Sequence, residues 1–387
     1  MRAGFFSRAG AWAISCAIVA SAPGPLAEAA LAAGPGFAVV TPGRPLEFPR
    51  DTGAHPAFRT EWWYATGWLD MPDGKPLGFQ ITFFRSATGH DAKDPSAFAP
   101  SQLIIAHAAL SDPARGRLAH DQKIARQGFG LAAAKVGNTE VKLDAWNIVR
   151  APDGHYTVNV SADGFALHLS LTPTQPPMLQ GDSGYSQKGP VPAEASYYYS
   201  EPQLRVSGTV DRAASGSSDT ADKAGAATAA LVTTPVTGSA WLDHEWSSTV
   251  LSADAVGWDW LGANFFDGSA LMAFKIRGQA GNAIWAHAAL RDPHGNVSAF
   301  GPAQVDFVPL RTWRSVRTGT TYPVSETVKA GALAWQLTPL MDDQELDSRQ
   351  STGAVYWEGA VTLSRDGKAA GRGYLELTGY NKKLDLD

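Results

Sequence analysis

The chain has 387 residues, 44% of them hydrophobic, with 13 Trp, 16 Phe and 10 Tyr, which is enough for two hydrophobic cores. A formal net charge of −5, with no basic patch and no acidic tail, excludes nucleic acid as a partner and favours an uncharged or apolar one. The single cysteine excludes a disulfide framework and a thiolate metal site.

At the N-terminus, Arg2 and Arg8 accompany an apolar run over 11–22, and small residues follow at Ala27-Glu28-Ala29. This pattern predicts a secretory signal over 1–29, too short to span a bilayer. Cys16 falls inside it. A lipoprotein reading of Ala13-Ile14-Ser15-Cys16 is disfavoured, because Leu usually stands three residues before such a cysteine. Loss of Arg2, Arg8 and Glu28 leaves a net charge of −6 on a cysteine-free chain, which fits a bacterial periplasm or the exterior.

Beyond the signal the chain reads as all-β. Runs at 61–69, 77–84, 103–109, 156–161 and 165–171 are strand-length and aromatic or β-branched, and helical periodicity is nearly absent. Asp-Gly pairs at 73–74, 153–154, 163–164, 267–268 and 366–367 fall where tight hairpin turns would join strands. Short strands with tight turns form a sandwich or an up-and-down barrel, and the barrel is preferred because it can hold one apolar ligand.

An internal repeat sets the number of domains. AHAALSDP at 106–113 recurs as AHAALRDP at 286–293. Each copy follows a tryptophan- and acid-rich run, Glu61-Trp62-Trp63-Tyr64 or Trp258-Asp259-Trp260. An Asp-Gly turn and an apolar segment ending in Arg85 or Arg277 come between. Duplication of a domain accounts for this order. An Ala/Ser/Thr/Gly-rich stretch predicts a flexible boundary over 213–235, between domains at 36–212 and 236–387.

Several motifs carry candidate chemistry. In Leu242-Asp243-His244-Glu245-Trp246 an extended backbone puts Asp243 and Glu245 on one face, with His244, Leu242 and Trp246 on the other. His244 could then transfer protons or serve as a satisfied core histidine. Around Gly257-Trp258-Asp259-Trp260, a carboxylate between indoles could have a raised pKa and act as an acid. The alternative is a core tryptophan pair with a surface aspartate. Glu61, Trp62 and Trp63 could line a ligand cavity or plug a barrel end, and the same caution applies to Tyr356-Trp357-Glu358-Gly359. His107 and His287 occupy equivalent places in the repeat, which favours a structural role. Metal ligation has no supporting motif. Gly181-Asp182-Ser183-Gly184 suggests a serine protease, but Tyr185 replaces the second glycine of that pattern and His107 belongs to the repeat.

Taken together, HPAFRTEWWYATGWL, GFQITFFR, LQGDSGYSQKG, ASYYYS, WLDHEWSS, GWDWLGANFFDG, YWEGAV and GYLELTGY resemble the AttH/carotenoid 1,2-hydratase family over about His55 to Tyr380. The resemblance implies two tandem lipocalin-like antiparallel β-barrels. It also implies cofactor-free addition of water to the terminal C=C of an isoprenoid, with His244 and Trp246 matching a His-x-Trp element. Where that family's hydratases carry an acid on the next strand, this chain reads Ala273-Phe274-Lys275-Ile276. The expected site therefore has Asp243, His244 and Asp259 as acid/base groups and Trp246, Trp258, Trp260, Glu61, Trp62 and Trp63 against the substrate, with no metal or cofactor. The expected partner is an apolar isoprenoid or lipid, compatible with peripheral contact at a membrane. A carrier without catalysis is the alternative, favoured by the missing acid near Lys275, and a secreted hydrolase is a weaker one. Oligomeric state is not set by the sequence.

Overall fold

The structure, a computed structural model, describes residues 36–89, 96, 98–213 and 231–384. The leader expected over 1–29, with Cys16, and most of the stretch expected over 213–235 lie outside the described residues.

The described chain is built of strands, with only two short 3-10 turns. The first sheet contains β1 (Thr60–Asp70), β2 (Pro76–Ala87), β3 (Gln102–Ser111), β4 (Ala119–Arg126), β5 (Ala132–Ala134), β6 (Glu140–Leu143) and β7 (Trp146–Arg150). It continues with β8 (Tyr156–Ala162), β9 (Phe165–Thr172), β10 (Met178–Leu179), β11 (Tyr185–Gln187), β12 (Ala195–Ala213) and β13 (Leu231–Thr249). Its order is β4-β3-β2-β1-β13-β12-β9-β8-β7-β6-β5, and β10 and β11 pair with β12.

The second sheet contains β14 (Ala255–Phe265), β15 (Ala270–Gly278), β16 (Ala283–Arg291), β17 (Val297–Phe300) and β18 (Val305–Arg314). After these come β19 (Thr321–Ala330), β20 (Leu333–Pro339), β21 (Glu345–Ser348), β22 (Ala354–Arg365) and β23 (Lys368–Leu377). The order is β17-β16-β15-β14-β23-β22-β20-β19-β18, and β21 pairs with β22. All pairings are antiparallel, and in each sheet the two ends approach one another, β3 and β4 meeting β5 and β6, and β15 and β16 meeting β18. The result is two tandem lipocalin-like barrels, as the repeat implies. The glycines of all five Asp-Gly pairs have positive φ, and at the β22–β23 turn Asp366 (52°) and Gly367 (73°) both do, as a two-residue hairpin of that hand requires.

The 213–235 stretch does not separate the sheets. Residues 236–249, expected in the second domain, run in the first sheet between β1 and β12. A composition break here marks a connection within one sheet, and the second sheet starts at Ala255.

Each lumen is filled by its own core: Trp63, Phe79, Phe83 and Trp146 are among the side chains packing the first, and Phe307, Trp335 and Trp357 the second. A third apolar layer lies between the barrels. Tyr64, Trp68, Tyr198 and Trp241 from the outer face of the first sheet meet Trp260, Met272, Phe274 and Tyr374 from the second. Strands β1, β14 and β15, and residues 240–247 of β13, are therefore buried on both faces. Polar bonds cross the same layer: the Trp68 indole donates to the Gly373 carbonyl (3.0 Å), and Ser111 donates to Gln344 Oε1 (2.6 Å).

Close approach of the barrels requires a glycine at Gly78, where an added Cβ would lie 2.6 Å from Ala360 Cβ across the layer. Gly78→Ala is expected to lower stability by about 1–3 kcal/mol, and the double variant with Ala360→Gly is expected to recover part of it. Urea unfolding of the two variants beside the wild type checks this.

Candidate active site

The layer between the barrels is not completely filled. A pocket with about 850 Å³ of empty space, part of it open to solvent, lies among β1, β2, β13, β14, β15, β22, β23 and the loop after β11. Trp62, Phe84, Trp258, Trp260, Phe274 and Ile276 form most of its apolar wall. Strand alternation explains this set: Trp258 and Trp260 share one face of β14, while Trp62 and Tyr64 share the outer face of β1, opposite Glu245 and Asp243 of β13.

Into this aromatic pocket project four carboxyl groups and one lysine: Asp243, Glu245, Glu358, Glu376 and Lys188. Asp243 is buried, and its oxygens accept bonds from the Tyr198 hydroxyl (2.6 Å), the Trp241 indole (2.6 Å) and Ser200 (2.5 Å). Burial outweighs these three donors and pushes its pKa up to about 7. Glu245 pairs with the Lys188 ammonium at 3.0 Å and accepts from Ser196, while Lys188 also lies 4.2 Å over the Phe274 ring. Glu358 and Glu376 face each other as register partners on β22 and β23. Burial raises both, Glu376 to about 8, with Asp243 and Glu245 adding repulsion there, and Glu358 well above the carboxylate range, with Glu376 adding. Glu358 Oε1 is buried with no hydrogen-bond partner. Two adjacent carboxyls in an apolar pocket retain a proton at neutral pH.

Only part of the expected site lies here. Asp243, Trp258, Trp260 and Trp62 line the pocket. His244, Trp246, Trp63 and Glu61 do not, because alternation turns them to the opposite face. There Glu61 is fully buried, and its Oε1 accepts from His244 Nε2 (2.8 Å) and His55 Nδ1 (2.7 Å) while its Oε2 accepts from Arg85 Nε (2.7 Å). His55 stacks on Trp246 at 3.7 Å, and Trp63 stacks on His244 at 4.7 Å. Burial opposes ionisation of Glu61, but the histidines and Arg85 outweigh it and hold its pKa low, whereas burial lowers that of His244. His244 thus serves as a satisfied core histidine.

Among the described residues, His55, Glu61 and His244 form the group whose ligand atoms come close enough to hold a metal ion. Their chemistry does not favour one. Both imidazoles already donate to the same oxygen, and Arg85, Arg50 and Arg44 neutralise Glu61 and the neighbouring Asp51. A divalent cation would displace those bonds and meet little uncompensated negative charge.

Asp259 also lies off the pocket. It points away from Trp258 and Trp260 into the second barrel, where Arg277 Nε (2.8 Å), Lys275 Nζ (3.2 Å) and the Tyr380 hydroxyl (3.0 Å) hold it. It is the repeat counterpart of the Glu61–Arg85 pair, with two cations against its carboxylate. Ser183, the serine of the protease-like motif, is exposed and bonds only weakly to Asp182 (3.4 Å), whereas His107 bonds Tyr356 and Ser351.

The sequence reading missed Lys188, Glu376, Phe84 and Phe274 as site residues and left Glu245 and Glu358 unassigned. Glu358 had a signal in its Tyr-Trp-Glu-Gly context. Lys188 and Glu376 reach the pocket only by tertiary placement.

The AttH-like family model matches residues 39–380. Among solved structures, the AttH-assigned protein NE1406 of Nitrosomonas europaea is 59% identical with a TM-score of 0.80, over 89% of this chain and all of that one. Kievitone hydratase from Nectria haematococca shares the fold with a TM-score of 0.63 at 13% identity, over 89% of this chain and 96% of that one. No curated protein matches the chain.

Glu61→Gln, which leaves Arg85 buried and unpaired, is expected to cost about 3–5 kcal/mol of stability by urea unfolding at pH 7. Because folding holds the Glu61 pKa below its ordinary value, its stabilisation is present above about pH 4.5 and is lost as pH falls further. Wild type should therefore lose stability on acidification more steeply than the variant. Added zinc or a chelator should leave the wild-type midpoint unchanged.

Proposed function

The chain belongs to the AttH-like family, and from that premise we propose that it adds water to a C=C bond of an apolar, isoprenoid- or lipid-like substrate held between the barrels. The observation that carries the reading is the Glu358–Glu376 carboxyl pair, kept protonated inside an aromatic pocket. The name of the structural neighbour kievitone hydratase agrees with this class of reaction.

In the proposed reaction Glu358 donates its proton to one alkene carbon, and the other carbon becomes a tertiary cation. The faces of Trp62, Trp258 and Trp260 stabilise that cation, each by on the order of 1–2 kcal/mol when desolvated. Water adds to the cation and loses a proton to Asp243, whose pKa near 7 suits a base. Transfer of that proton to Glu358 restores the starting state. The sum is alkene plus water to alcohol, with no change in oxidation state overall and no cofactor. Lys188 and Glu245 close one side of the pocket as an ion pair. Export through the N-terminal segment belongs to the same proposal and places the reaction outside the cytoplasm.

A carrier reading uses the same pocket without chemistry and is supported by its largely apolar wall. Incubation with lycopene or a shorter isoprenoid, followed by mass spectrometry for a product heavier by one water, separates the two. Glu358→Gln and Asp243→Asn are each expected to lower turnover by about 10²–10⁴-fold, and Asp259→Asn to leave the chemical step intact. The rate should rise with pH through about 7, as Asp243 loses its proton, and stay high above it while Glu358, which burial holds well above the carboxylate range, keeps its own. Turnover unchanged in both pocket variants, or binding without product, would overturn the hydration reading.

A further inference from the structure

His107 lies outside the pocket wall, yet it joins the barrels through a hydrogen-bond chain whose direction can be worked out. At its far end Gln122 of β4 donates from Nε2 to the Asp347 carbonyl (2.8 Å), which can only accept. Gln122 Oε1 therefore faces Ser351, and the Ser351 hydroxyl donates to it at 2.6 Å. The Ser348 carbonyl, the other acceptor near that hydroxyl at 3.2 Å, leads to the same assignment. With its one hydrogen committed, Ser351 Oγ can only accept from His107 Nε2 (2.9 Å). The imidazole is almost fully buried, and burial, with His120 adding, lowers its pKa to about 3, so the ring is neutral. Its Nδ1 is then bare and accepts from the Tyr356 hydroxyl at 2.9 Å.

Tyr356 lines the pocket two residues before Glu358 on β22, and its hydroxyl and that of Tyr64 are the two tyrosine groups within hydrogen-bonding reach of the Glu358 carboxyl. With its hydrogen turned toward His107, Tyr356 offers the pocket only lone pairs. We propose that His107 is a positioning residue: by holding the Tyr356 hydrogen it leaves Glu358 with one tyrosine donor, Tyr64, instead of two, so that the Glu358 carboxyl more readily keeps the proton for the reaction. This rests on the reading of Glu358 as the acid. The equivalent histidine of the second barrel, His287, has a buried Nε2 without a partner, so the chain is built in one half of the repeat only. The other groups around Glu358 are Tyr64 from β1, Glu376 and Tyr374 from β23 and, beyond Glu376, Asp243 and Glu245 from β13. None of them lies on the His107 chain.

The direction of the chain gives a result that loss of packing alone would not. In His107→Leu the Tyr356 hydroxyl loses its acceptor and turns to Glu358, and a donor to a carboxylate lowers its pKa, here by on the order of one unit. Tyr356→Phe supplies no donor and should leave Glu358 high, as should the double variant. His107→Asn, which can present an amide oxygen where Nδ1 stood, should restore the wild-type value. Glu358 is followed by carbon-13 NMR of glutamate-labelled protein, its signal identified by loss in Glu358→Gln. Nitrogen-15 NMR of His107 in the wild type should show hydrogen on Nε2 and none on Nδ1, a measurement that does not depend on any variant folding. A protonated Nδ1, an unshifted Glu358 in His107→Leu, or an equal fall in Tyr356→Phe would each overturn the proposal. Titration shifts as expected without hydrated product would instead leave the positioning role standing and remove the hydration reading.

Discussion

The packing of the two barrels through the outer faces of their tryptophan strands is the constraint on which the rest of the structure depends. In a free-standing barrel those faces would meet water and carry polar side chains. Here Trp62, Tyr64 and Trp68 of β1 and Trp258 and Trp260 of β14 lie against the opposing sheet, and the strands between two cores become apolar on both faces. Burial at such a layer contributes roughly 25 cal/mol per Å² of apolar surface removed from water. It also imposes a penalty on any charge left inside, and Asp243, Glu358 and Glu376 are left inside. Their raised pKa values follow from their position between the barrels, and the proposed acid–base chemistry follows from those values.

The same carboxylate chemistry gives opposite results on the other face of the same strands. Glu61 is as deeply buried as Glu358, yet it is held ionised by Arg85 and two imidazoles. Asp259 stands between Lys275 and Arg277. These clusters sit on the lumen side of β1 and β14, the repeat-related first strands of the two sheets, and each ties its strand to the next. One face of each tryptophan strand thus carries a compensated ionic group that holds the barrel together. The other face borders the pocket, where the carboxyls lack cationic partners apart from Glu245 with Lys188. Compensated charge stabilises the fold, and the uncompensated carboxyl groups of the pocket keep their protons to higher pH.

The repeat was visible in the sequence, but it did not imply equal roles for its halves. His107 and His287 occupy matching places, and both have lowered pKa values from burial. Only His107 gained partners across the layer, because the β21–β22 loop brings Ser351 to one ring nitrogen and β22 brings Tyr356 to the other. Duplication supplied the scaffold, and asymmetric docking of the copies gave one histidine a task that the other lacks.

The all-β class, the two barrels and the Asp-Gly turns could be read from the chain, because alternation and positive φ are local properties of a few consecutive residues. The opposite facing of Asp243 and His244 was legible for the same reason. Which of those faces would border the pocket was not, because both are buried and a two-sided apolar strand gives no inward or outward signal. Its chain neighbours suggest an indole environment for Asp259, whereas in space it belongs with Lys275 and Arg277. Residues 236–249 looked like the start of a second domain because a low-complexity stretch precedes them, but hydrogen bonding to β1 and β12 places them in the first sheet. Local backbone preference fixed the elements. The pairing of strands some 180 residues apart and the docking of the barrels decided which carboxyls share the pocket, since desolvation and charge compensation depend on neighbours in space rather than along the chain.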